Sequence, residues 1–201
     1  VQTCALPILS FHPISLIFGL LSFVSYLVEG AVGDWSALYL FEDKGIVIEE
    51  AVMGVMLFNG TMCIGRLLGN RLGKHLTSKQ VVVGGYLLGS IAMGLIVFLP
   101  GHASMYTYLL LGISLAMIVP NLFSAMGEQN VIPMTQAVAT STMLGYMGIL
   151  MGPALIGFIA HGTSLTVAFI VLTILLVVSA GIGKYAYHLM SKDCGLSEEQ
   201  I

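Results

Sequence analysis

The chain has 201 residues, 57% of them apolar and only 8% charged, with a formal net charge of −3 and a mean hydropathy of +0.98. So little charge cannot cover a water-soluble fold of this size, which excludes a soluble globular domain. Nucleic-acid binding has no support either, with seven Lys and Arg against ten Asp and Glu.

Residues 1–8, V-Q-T-C-A-L-P-I, back-translate onto the end of a widely used short-read sequencing adaptor. They carry neither the basic n-region nor the small-residue cleavage pattern of a signal peptide. They are expected to be an artefact joined to a gene truncated at its 5′ end. Beyond them, a hydrocarbon core of about 30 Å asks for about 20 apolar residues per helix. Segments 14–40, 51–68, 81–99, 105–125, 137–160 and 165–187 qualify. They form a transmembrane half-domain over 9–190, and 191–201 is a tail. The runs are long and do not alternate strictly, which argues against β-barrel spans. The expected fold is all-α, with six transmembrane helices.

The first span carries Glu29 and Asp34. An acidic group in a span costs roughly 2.5–3.5 kcal/mol on insertion scales unless it meets water or a partner. A carboxyl kept there suits reversible proton binding. Five residues apart on a 3.6-residue helix, the two point about 140° away from each other, so they are not one paired site. Glu29 is the deeper. Asp34 adjoins Trp35, an interfacial anchor, and its alternative role is a helix-end hydrogen bond at a break near Gly30 and Gly33.

The second span holds Asn59 and Thr61 and runs into G-R-L-L-G-N-R-L-G-K-H-L at 65–76, the densest cluster of cations in the chain. The third and sixth spans are nearly featureless, with Tyr86, Ser90, Thr173 and Ser179 as their few polar interior residues. The fourth carries Ser114, Asn121 just after Pro120, and Ser124. The fifth carries Ser141, Thr142 and Tyr146, with Gly145, Gly148 and Gly152 on one face and Pro153 next, a pattern for close helix approach and a kink. Polar groups in hydrocarbon belong against protein or a water-filled cavity. Four spans are therefore expected to line something and two to face lipid.

Arg66, Arg71, Lys74 and Lys79 lie between the second and third spans, and Lys184 and Lys192 follow the sixth. Lys44 alone lies between the first and second, among four acids. The positive-inside rule then puts the 65–79 loop and both chain ends in the cytoplasm of a multi-pass protein of a bacterial inner membrane. Loops at 101–104 and 161–164 are expected outside, and 128–135 inside. Cys4, Cys63 and Cys194 make no disulfide framework or metal site, and no H-E-x-x-H, G-x-S-x-G or P-loop pattern occurs. No enzyme activity, cofactor or metal is expected.

The 65–76 run resembles the G-x-x-x-D-R-x-G-R loop of the major facilitator superfamily of transporters. Gly65, Arg71 and Gly73 are read at motif positions, Asn70 stands where an acid is usual, and Arg66, Gly69 and Lys74 complete the loop. E-G-A-V-G-D-W-S-A-L-Y-L (29–40) with G-Y-M-G-I-L-M-G-P-A-L-I-G-F-I-A (145–160) is similar to the branch holding MosC-like permeases and neighbours of the fucose permeases. The resemblance implies one six-helix half of the fold, the C-terminal half, because the second copy of the motif is commonly degenerate. In such a half the first and fourth helices line the solute cavity, the second and fifth meet the other half, and the third and sixth face lipid. The second and fifth spans should then show it a polar, glycine-rich face made by Asn59, Thr61, Ser141, Gly145, Gly148 and Gly152. The implied activity is secondary active transport of a small polar solute, sugar-like or inositol-like, by alternating access, with proton coupling left open. Candidates for the solute and proton path are Glu29, Asp34, Asn121, Ser124 and Tyr146. Expected partners are that solute, protons where coupling exists, the lipid bilayer and the missing N-terminal six-helix half. Two rivals are a complete six-helix protein that dimerises and a non-transporting membrane receptor or scaffold.

Overall fold

The computed structural model describes residues 12–72, 76–129 and 131–194, the side chains of 70–72 and 193–194 excepted. Residues 1–8, together with Gly73, Lys74 and 195–201, lie outside the described residues. Seven α-helices follow in order: α1 (Pro13–Glu42), α2 (Ile48–Leu72), α3 (Ser78–Phe98), α4 (Gly101–Ala116), α5 (Ile118–Glu128), α6 (Met134–Gly162) and α7 (Leu165–Cys194). Among the described residues, six stretches are long and apolar enough to cross a membrane, with α4 and α5 together making one of them.

Local chemistry sets the ends. Pro13 opens α1, where its missing N–H costs nothing, and His12 Nδ1 accepts from the Ile14 amide at 3.4 Å. Thr77 and Gln80 close a reciprocal capping box on α3, at 3.3 and 3.1 Å. The fourth expected span is not one helix: it breaks at Met117. Pro120 cannot donate to the carbonyl four residues back, and the Asn121 amide donates to Met117 O at 2.8 Å beside the break. The helices also overrun the apolar segments, because a helix continues while its backbone bonds are met. Residues 101–104 are the first turn of α4 rather than a loop. The connection from α5 to α6 is tied by buried Gln129. Its amide donates to Met126 O and Ile132 O and its Oε1 accepts from the Val131 and Ile132 amides.

Three helix pairings build the bundle. α1 and α6 run parallel in register, with Gly145 against Tyr26, Gly148 against the Phe23 main chain and Gly152 against the Leu27 main chain. α2 runs parallel to the fourth span, with Gly65 against Ala116 and Ile113, and Gly112 of α4 against Phe58 and Thr61. α3 and α7 are antiparallel, with Gly183 facing Val83 and Gly94 facing Thr173. Glycine permits this approach because main chain can then meet main chain. Tyr86, wholly buried, donates its hydroxyl to Leu21 O at 2.7 Å and ties α3 to α1.

Lys44, the cation that stood apart, has a structural use. Its ammonium donates to Val97 O at 2.6 Å and Leu99 O at 2.9 Å, satisfying carbonyls at the end of α3. It also lies 5.3 Å from the centre of the Tyr39 ring. Burial pushes its pKa below the usual lysine value.

Candidate solute and proton site

The middle of α1 presents Tyr26 and Glu29, one helical turn apart and partly exposed. Arg66 reaches Glu29 from α2, its guanidinium 3.2 Å from Oε2 and 3.4 Å from Oε1. From α6, Tyr146 stacks on Tyr26 with ring centres 6.3 Å apart and planes within 6°. Tyr26 also lies within electrostatic reach of both Glu29 and Arg66. Three helices that are distant in sequence thus bring together an ion pair and two phenols. The pair is open rather than sealed, with side-chain exposures of 21% for Glu29 and 44% for Arg66. Opposite charges within a span are expected to find each other, since each alone is costly there.

This arrangement corrects the reading of Arg66. Gly65, Arg66, Gly69, Asn70 and Arg71 lie in α2, not in a loop. Counted back from Asn70, the leading motif place falls on Arg66 rather than Gly65. Gly65 and Gly69 serve instead as contact points for Ala116 and Met117 of the fourth span. Gly73 and Lys74 lie outside the described residues. The remaining candidates separate. Asp34 is exposed on α1, which runs unbroken past Gly30 and Gly33, so there is no helix end for it to cap. Asn121 and Ser124 are on α5 and make no hydrogen bond to the Glu29 cluster among the described residues; Asn121 is spent locally on Met117 O. Sequence reasoning missed Tyr26. Arg66 carried a signal of its own, a cation inside the 51–68 apolar segment, but its pairing with Glu29 is set only by the packing of α1 against α2.

The faces of α2 and α6 differ from expectation in an instructive way. In these two spans only 28% and 22% of the most apolar stretch is buried, against 39% to 56% in the other four. They are the least covered helices of the bundle. Yet Gly145, Gly148, Gly152 and Ser141 are buried against the rest of this bundle and do not form the open face. α6 exposes Tyr146, Met147, Leu150 and Phe158, and α2 exposes Met56, Asn59 and Leu67. A small-residue stripe goes where two backbones meet, and α1 already takes that role.

Near the other end of α1, Trp35 Nε1 donates to Pro153 O at 3.0 Å and the ring packs against Gly157. Pro153 leaves Ile149 O without its helical donor, and Gly30 of α1 lies directly against that oxygen.

No family model matches the chain. An uncharacterised MFS-type transporter of Yersinia pestis is 41% identical over 168 residues, which is 82% of this chain and 43% of that protein. The membrane protein MosC of Rhizobium meliloti is 31% identical over 75% of this chain and 37% of its own length. The crystal structure of the Escherichia coli fucose:proton symporter matches with a TM-score of 0.75 over 87% of this chain and 43% of that one, at 16% identity. The chain belongs to the major facilitator superfamily. It spans less than half the length of these relatives and carries six membrane helices of the superfamily fold.

Proposed function

We propose that this chain is the C-terminal half of a secondary transporter that moves a small polar solute, sugar-like or inositol-like, by alternating access. The observation that carries the reading is the open Glu29–Arg66 ion pair beside Tyr26 and Tyr146. A neutral polyol needs hydrogen-bonding groups and flat apolar faces together, and an ion pair flanked by two phenols offers both. The least covered helices, α2 and α6, flank this cluster, and a second six-helix half packed on them would close a path near the bilayer midplane. Both chain ends and the α2–α3 connection lie in the cytoplasm in this reading.

The same pair supports a proton-coupled reading. Ionised Glu29 holds Arg66 and so links α1 to α2; protonated Glu29 releases it. A solute that accepts hydrogen bonds from the freed Arg66 would bind most easily with the proton, and the two would cross together. The test is Glu29→Gln in the complete transporter that contains this chain. Uptake driven by a pH gradient should fall to background, while exchange of labelled for unlabelled solute persists. Gradient-driven uptake at the wild-type rate would remove Glu29 from the coupling role.

A further inference from the structure

Among the described residues, four buried side-chain oxygens make no hydrogen bond to protein: Ser36 Oγ and the phenols of Tyr39, Tyr108 and Tyr187. Three of them meet beside the last turns of α1. Ser36 and Tyr39 are one turn apart on that helix and share a face. Tyr108 comes from α4 and lies within electrostatic reach of both. All three residues are 0% exposed. A hydroxyl without a partner is costly in a membrane span, where hydrocarbon supplies none. Nor can these phenols swing away to find one. The Tyr39 ring is stacked on Phe169 of α7 with centres 4.2 Å apart, and the Lys44 ammonium lies 5.3 Å from its centre. The Tyr108 ring packs at Gly54 of α2, where Leu40 also closes in. A phenolic oxygen lies on the axis of its ring, so flipping the ring leaves it in place.

We propose that Ser36, Tyr39 and Tyr108 hold one ordered water molecule, which bridges the three hydroxyls and so joins α1 to α4. Buried waters characteristically make about three hydrogen bonds to groups that protein leaves unmet, the number offered here. Each hydroxyl can give one hydrogen bond and accept two, so donors and acceptors can be matched around the water. Water suits the place better than a cation does. The trio holds no carboxylate, and the Lys44 ammonium beside Tyr39 opposes a second positive charge. Exchange with bulk water has a route. Half-buried Thr166 of α7 stands within reach of the Tyr39 phenol and donates to exposed Asp43 at 3.2 Å. Tyr187 takes no part, because it lies near Glu128, towards the far end of α7.

The test is X-ray radiolytic labelling of the complete transporter that contains this chain, in detergent and in water enriched in oxygen-18, read by peptide mass spectrometry. Radicals formed from a bound water attack the side chains beside it, even where bulk solvent does not reach. Tyr39 and Tyr108 should both take up the label. Tyr86, equally buried but bonded to Leu21 O, should not. Tyr39→Phe should lose the label at Tyr108, and Ser36→Ala should lower it at both phenols, because the three share one water. Tyr187→Phe should leave both labelled. Tyr39 and Tyr108 labelled no more than Tyr86 would overturn the proposal, whether all three stay dry, as with a direct Ser36–Tyr108 hydroxyl pair, or all are wet, as in a loosened bundle. Label at Tyr108 that survives Tyr39→Phe at full strength would refute the three-way seat. Label lost when sodium replaces choline in the buffer would assign the place to a cation and overturn it too.

Discussion

Gly148→Ala should destabilise this bundle far more than its single methyl group suggests. A β-carbon at Gly148 would lie 3.0 Å from the Phe23 carbonyl carbon, 3.1 Å from its Cα, and closer still to its oxygen. Ordinary carbon contacts are about 3.5–4.0 Å, so α1 and α6 would have to part by roughly 1 Å. Every atom in the way is main chain, so no rotamer can yield. Overpacking of this kind costs about 1–3 kcal/mol, and the upper end applies when nothing flexible can move. Against that, Gly→Ala in a helix gains up to about 1 kcal/mol, which leaves a net loss of about 2 kcal/mol. Gly60→Ala supplies the control, because a side chain at Gly60 on α2 would meet nothing within 4 Å; it should gain about 0.5–1 kcal/mol. The assay is detergent-mediated unfolding followed through Trp35, the single tryptophan, which bonds α6 at Pro153 and so reports on this pairing. The two variants should differ by about 3 kcal/mol. If Gly148→Ala proves as stable as Gly60→Ala, the parallel α1–α6 pairing does not rest on main-chain contact.

Other expectations are measured as simply. Lys44→Met should cost about 1.5–3 kcal/mol in the same unfolding assay, because it strands Val97 O and Leu99 O at the end of α3; Lys44→Arg should recover most of it. Trp35→Phe loses both the bond to Pro153 O and the outer indole edge that packs on Gly157, at about 1–3 kcal/mol, read by chemical unfolding with a probe other than tryptophan. Cys63 is exposed on α2, so with Cys4 and Cys194 replaced by serine it should react with maleimide in this chain and be shielded in the complete transporter. Equal reactivity in both would deny α2 a place against a second half. Reporter fusions after Thr77 and after Lys192 should both report cytoplasm; an opposite signal at either would invert the topology.

The transmembrane fold was legible in the chain itself because membrane insertion is a one-dimensional problem: about 20 apolar residues per crossing is a property of the sequence alone. The α3 cap is just as local, since Thr77 and Gln80 satisfy each other three residues apart, though it was not among the expectations above. Glu29 could be singled out as an isolated cost, but not its partner, because Arg66 is 37 residues away and arrives by the pairing of two helices. The same limit hid Tyr26, an unremarked phenol until α6 sets Tyr146 against it. It also misdirected the glycines of the fifth span: spacing says that a small face wants a close neighbour, while only the packed bundle says which helix is near enough to take it. α1 is, through Phe23 and Leu27 main chain, and so the open faces of α2 and α6 are left to larger side chains such as Leu67, Leu150 and Phe158.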